Sequence, residues 1–126
     1  MAVTDALAPL RAHTGKRRPH GLDDATLARL AAAHPVLAEA IDAAVAEYAR
    51  VRDEFPELLN LDEDAQVDAL QAGFVNFYAH DAVNPYVALA ARGSWVITLN
   101  GAVLYDCGGY GMLGFGHTPQ KIMDEM

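Results

Sequence analysis

Apolar residues recur at helical spacing from Gly21 to about Tyr78 and at strand spacing afterwards. From Gly21 the pattern is helical: Asp23 or Asp24 stands where a helix cap accepts free backbone N–H groups, and Leu27, Leu30 and Ala31 follow at three- and four-residue steps. His34-Pro35 ends this helix and opens the next, because a proline at the first helical position gives up an N–H that has no partner there. Leu37, Ile41, Ala44, Val45, Tyr48 and Val51 trace one apolar stripe, with Glu39, Asp42, Glu47 and Arg50 opposite. Phe55-Pro56 closes that helix, since the residue before a proline is pushed out of the helical region. A third helix is predicted from Asp62, capped by Asp62 and presenting Val67, Leu70, Phe74 and Phe77 on one face, with Gly73 a weak point within it.

Beyond Tyr78 the signal changes. A loop containing Asn84-Pro85 leads to Trp95-Val96-Ile97-Thr98-Leu99, then Asn100-Gly101, then Ala102-Val103-Leu104-Tyr105. Asn-Gly between two β-rich runs predicts a hairpin closed by a two-residue type I′ turn, whose central residues both need positive φ. Five glycines follow within the nine residues 108–116, a density that suits close backbone approach rather than strand stability. The run lacks the Gly-Lys-Ser/Thr ending of a phosphate loop and the strand-to-helix setting of a dinucleotide fingerprint. Thr118 is expected to cap, and Pro119 to start, a last helix carrying Ile122, Met123 and Met126.

Residues 1–20 show no sustained periodicity. Pro9, Gly15 and Pro19 punctuate them, and Lys16-Arg17-Arg18 is the one basic cluster, so they are expected to form a loosely ordered arm. The chain thus divides into that arm, a helical region over 21–80, and a hairpin with a glycine-rich segment over 81–126. The fold class is α+β: N-terminal helices, a small antiparallel hairpin or meander, and the start of a further helix.

Composition narrows the function. The 126 residues, 52% hydrophobic, suffice for one domain with a core. Nine Lys+Arg against seventeen Asp+Glu leave a net charge of −8, which argues against a nucleic-acid partner. No apolar run approaches the ~20 residues of a membrane helix, no signal-like segment opens the chain, and Cys107 stands alone, so a cytoplasmic setting is expected. The five histidines lack metal-ligand spacing, so no metal site is expected. Cys107 has no adjacent cation to activate it, and its neighbours suit a half-buried strand end. No catalytic residue is assigned.

Ala91-Arg92-Gly93-Ser94-Trp95-Val96-Ile97-Thr98, Asn100-Gly101, Tyr105-Asp106, Gly108-Gly109-Tyr110-Gly111 and Gly114-Phe115-Gly116-His117-Thr118-Pro119 occur in an order and spacing that resembles the opening of a class III aminotransferase. These are fold-type-I, pyridoxal-phosphate (PLP) enzymes. The resemblance covers about residues 84 to 126. It implies that the chain is the N-terminal portion of a larger α/β PLP-transferase fold, moving an amino group from an amino acid or ω-amine to a 2-oxo acid. It implies a substrate pocket bordered by Tyr110, with Gly109 and Gly111 leaving room beside it, and by Tyr86. It gives His117 a local structural role at a helix start. It also implies a homodimer whose N-terminal segments build the subunit interface, with the remainder of the polypeptide as the immediate partner.

One departure is decisive for activity. Transamination needs a lysine for the Schiff base and an acid at the pyridine nitrogen. The two lysines here, Lys16 and Lys121, match no such motif, so the chain alone is not expected to transaminate or to bind PLP. The alternative reading is a stand-alone, non-catalytic helical interaction module with a glycine-rich tail that binds a ligand or partner.

Overall fold

Burial of paired leucines decides the first element. In the computed structural model, which describes residues 2–12, 15–82, 84–108 and 114–126, helix α1 spans Val3–Arg11 and fully buries Leu7 and Leu10, three residues apart. This corrects the expectation of a loosely ordered arm at these positions. Pro9 removes one helical hydrogen bond near the end of α1, but full burial of each leucine is worth about 1.5–3 kcal/mol and offsets that loss. Val3, Ala6, Leu7 and Leu10 do stand at helical steps, but they make a single short repeat interrupted by Pro9, too little to mark a helix in the sequence.

Helices α2 (Asp24–Ala33) and α3 (Pro35–Glu54) form where the stripes predict. The Asp23 carboxylate accepts the Thr26 N–H at 2.9 Å and so caps α2, and Pro35 opens α3. Leu37, Ile41, Ala44 and Val51 of the α3 stripe are buried, joined by Ala40. A 3-10 turn, Pro56–Leu58, then leads to α4 (Glu63–Gln71).

Helix α4 differs from its expectation at both ends. Asp62 stands at the N-cap, but its side chain accepts no N–H of the helix; the carboxylate instead accepts the backbone N–H of Lys16 at 2.7 Å. The helix stops at Gln71, with Gly73 at φ +84°, so Phe74 and Phe77 never join a helical face and stand 73% and 93% exposed. Its buried residues are polar. Gln66 exchanges hydrogen bonds with Asn100, the Asn100 Nδ2–H donating to Gln66 Oε1 at 2.9 Å, and also donates to the Leu58 carbonyl. Glu63 Oε2 accepts the Arg18 N–H at 2.7 Å.

The sheet is an antiparallel meander in the order β1 (Ala88–Arg92), β2 (Trp95–Thr98), β3 (Val103–Tyr105). Strand β1 was not expected, because Ala-Leu-Ala-Ala-Arg favours helices. Pairing with β2 and packing on α3 override that preference. Gly93-Ser94 joins β1 to β2 with Gly93 at φ +56°, the glycine-first pattern of a type II′ turn. Between β2 and β3 the expected two-residue turn is replaced by a three-residue one. Thr98 N–H donates to the Ala102 carbonyl and Gly101 N–H to the Thr98 carbonyl, and only Gly101, at φ +74°, has positive φ. Asn100 is kept out of the left-handed region while its side chain is committed to Gln66.

Trp95, Ile97 and Val103 of the sheet meet Leu7, Leu10, Leu27, Leu37, Ala40, Ile41 and Ala44 in one apolar cluster. A second, smaller cluster gathers Val51, Leu59 and Leu99. The last helix, α5, begins at Gln120 rather than Pro119 and runs to Asp124. Thr118 does not cap it: its hydroxyl donates to the Ala91 carbonyl at 3.0 Å. The described residues are α+β, and no helix among them is long and apolar enough to cross a membrane.

Two substitutions test this packing. Leu7→Ala should cost about 2–5 kcal/mol in urea unfolding, whereas a loosely ordered arm would leave stability within about 0.5 kcal/mol. Gly101→Ala should destabilise by at least about 1–2 kcal/mol, because the residue sits at positive φ and a Cβ there lies 2.7 Å from Arg11 Cγ.

Candidate functional site

Both ends of the glycine-rich stretch are tied to one turn. Gly93 N–H donates to the His117 carbonyl at 3.0 Å, His117 N–H donates to the Gly93 carbonyl at 2.7 Å, and Asp106 N–H donates to the Ser94 carbonyl at 2.7 Å. The chain leaves β3 and returns at His117 against the same two residues, Gly93 and Ser94. Gly116, at φ +75°, makes this approach possible, since a Cβ on it would stand 2.8 Å from the Gly93 Cα.

Side chains reinforce the junction. His117 Nε2 lies 2.7 Å from Asp106 Oδ2, and Gly108 N–H donates to Asp106 Oδ1 at 2.8 Å. An ionised carboxylate only accepts, so the ring nitrogen facing it carries the proton, and in the neutral ring Nδ1 is left as an acceptor. The Gly108 N–H, and after it the His117 contact, hold the Asp106 carboxyl below the usual carboxylate range. Burial pushes the Tyr86 phenol above its ordinary value, and the negative charge of Asp106 adds to that shift. Thr118 stands at φ +45°, a strained conformation for a β-branched residue, held by its bond to Ala91.

Beside this junction, between the α2–α3 corner and the β1–β2 turn, lies an open cleft of about 620 Å³. Leu22, Leu30 and Val36 supply aliphatic wall, and Trp95 and Tyr105 supply aromatic wall. The two rings meet edge to face with centroids 5.1 Å apart, and His34 lies 6.3 Å from Trp95. Gly93 and Ser94 line the cleft and also anchor the Asp106–His117 junction, so the two features share one rigid turn. The volume falls in the range of small-molecule sites, and the walls suit an apolar or aromatic body with few polar groups.

Of the residues singled out from the sequence, Tyr110, Gly109 and Gly111 lie outside the described residues. Tyr86 is half-buried and close enough to Asp106 to feel its charge. His117 does bond locally, to Asp106 and to Gly93. Cys107 is exposed just beyond β3, which corrects the half-buried placement expected for it. Sequence reasoning missed Trp95 and Tyr105 as cleft walls and the pairing of Asp106 with His117. Tyr105-Asp106 and His117 were visible as pieces, but nothing local links residues eleven apart across glycines.

Compared with protein-family models, with curated proteins and with solved structures, the chain matches none. Among the described residues, no group of three or more His, Cys, Asp or Glu is arranged to hold a metal ion. PLP does not fit the residues present: Lys16 and Lys121 are both exposed and neither borders the cleft, so no amine stands ready for an imine there. No reaction step through that cofactor follows from this chain.

The Asp106 contacts carry a pH signature. A carboxyl whose pKa is lowered by folding stabilises the folded state above its unfolded pKa, near 3.9, and that contribution is lost as pH falls through the folded value. Asp106→Asn should therefore lower the urea midpoint at pH 7, and its gap from the parent should narrow as the pH falls below about 4. A gap that stays constant with pH would mean the carboxylate charge contributes nothing.

Proposed function

We propose that the chain is the N-terminal portion of a class III, PLP-dependent aminotransferase, in which it shapes the substrate pocket and the contact with a second subunit without being active alone. The supporting observation is the junction at Gly93-Ser94. The hairpin, the Tyr105-Asp106 step, the glycine-rich run and the Gly-His-Thr-Pro element occur in the order of the resemblance, and the described parts of that succession converge on one turn beside an apolar cleft. In this proposal the cleft's aromatic walls border the amine or amino-acid substrate, and the remaining polypeptide supplies the lysine and the cofactor site. The whole enzyme, a cytoplasmic homodimer, moves an amino group to a 2-oxo acid.

The placement of Lys16 and Lys121 away from the cleft is the observation that favours a second reading, a non-catalytic interaction module with a glycine-rich binding tail. Intact mass of the native product under denaturing conditions separates the two. A mass several-fold above 13.5 kDa is expected. A product of 13.5 kDa that yields no PLP imine absorbance when mixed, folded, with a lysine-bearing downstream segment would overturn the aminotransferase reading.

A further inference from the structure

Helix α4 supplies no residue to either apolar cluster. Its seat is polar: Gln66 holds Asn100 and the Leu58 carbonyl, Asp62 at its N-cap accepts the Lys16 N–H, and Glu63 accepts the Arg18 N–H. Glu63 Oε1 is buried and meets no hydrogen-bond partner among the described residues, which weakens that seat. A helix held by a few directional bonds, with no apolar face in the core, is a unit that opens before the rest. Its Gln66 bears on Asn100-Gly101. Asn100 is 2% exposed, and its Nδ2–H donates to Gln66 Oε1, while Gly101 N–H donates to the Thr98 carbonyl and Ala102 N–H to the Thr98 hydroxyl.

We propose that Asn100 is a latent modification site, sealed while α4 is docked and open to succinimide formation when α4 lifts. Asn-Gly is the dipeptide best suited to that reaction, because glycine places no Cβ beside the attacking nitrogen. The Gly101 backbone nitrogen, having lost its proton, attacks Asn100 Cγ; the bond from Cγ to Nδ2 breaks, and ammonia leaves with a proton taken from water. Water then opens the ring to aspartate or to isoaspartate, so no reactant beyond water is needed. In the docked state each participant is engaged: the amide by Gln66, the Gly101 N–H by the Thr98 carbonyl, and the face of Gly101 by Leu10 and Arg11 of α1. Either product lacks the Nδ2–H that Gln66 accepts, so a modified chain cannot rebuild the α4 contact, and the change records that opening. None of these residues lines the cleft, so the site is independent of the aminotransferase reading.

The test is peptide mapping of the full chain by mass spectrometry after incubation at mildly alkaline pH, resolving asparagine, succinimide, aspartate and isoaspartate at position 100. The folded chain should modify Asn100 at least about tenfold more slowly than the same chain unfolded in urea. Gly101→Ala should slow the reaction in urea, because a Cβ hinders the attacking nitrogen; an unchanged rate there would overturn the succinimide route. Gln66→Leu should raise the folded rate about tenfold. Asp62→Ala, at an exposed residue, should raise it in the same direction at a nearly unchanged urea midpoint. Leu27→Ala, which loosens the core and leaves α4 seated, should not raise it even at an equal loss of midpoint. Equal rates in folded and unfolded chain would overturn the proposal, as would a Gln66→Leu rate no higher than that of Leu27→Ala. If Gln66→Leu does not fold, Asp62→Ala decides alone, and a parental rate overturns the proposal.

Discussion

Everything else in the molecule is positioned by the packing of α3 on the sheet. Leu37, Ala40, Ile41 and Ala44 meet Trp95, Ile97 and Val103 in one cluster, and the two alanines let the strands approach the helix closely. Leu7, Leu10 and Leu27 enter the same cluster, which explains why a nine-residue segment interrupted by proline is helical at all. Short helices gain most of their stability from burial of a face rather than from propensity, and α1 does so with Leu7 and Leu10 fully buried and Val3 and Ala6 packed beside them. The same packing recruits Ala88–Arg92 as a strand, since β1 has both a partner in β2 and a surface in α3.

Around that core the backbone carries an unusual share of the specification. A Cβ on Gly116 would strike the backbone of Gly93, a Cβ on Gly93 would meet Val36 Cγ1 at 3.0 Å, and the β2–β3 loop presses Gly101 against α1. Arg11 ties that contact down, donating to the Gly101 carbonyl at 3.1 Å while pairing with Asp24 at 2.7 Å. Buried polar groups do similar work for α4. The Gln66–Asn100 pair joins the helix to the hairpin loop, and the backbone of residues 16–18 lies against Asp62 and Glu63. Such contacts are directional, so they set register and orientation where apolar burial alone is permissive.

Two surface features follow from these constraints. Because Trp95 is held in the core by its buried face, its aromatic edge stays fixed beside Tyr105, and the cleft has rigid walls. Because Gly73 stops α4 early, the apolar residues that would have completed a helical stripe are delivered to the surface instead. One feature is therefore a product of tight packing and the other of a helix that ends. Both depend on single glycines whose φ values other residues rarely adopt.

Helices α2 and α3 were legible in the sequence down to a cap at Asp23 or Asp24 and the stop before Pro56, because capping, proline geometry and 3.6-residue periodicity act between near neighbours. Strands β2 and β3 were legible for the same reason, and the glycine density foretold the close backbone approach seen at Gly116. Helix α1, strand β1, the polar buried face of α4 and the three-residue turn at Leu99–Gly101 were decided by tertiary structure, since each depends on a partner distant in sequence: α3 for the first two, Asn100 for α4 and Gln66 for the turn. The candidate site divides likewise. Tyr105-Asp106 and Gly116-His117 stand out as motifs, but the 2.7 Å contact between Asp106 and His117 exists because both ends of a glycine-rich stretch bind one turn. Glycines carry no side-chain pattern from which that return path can be read, so only the folded backbone determines it.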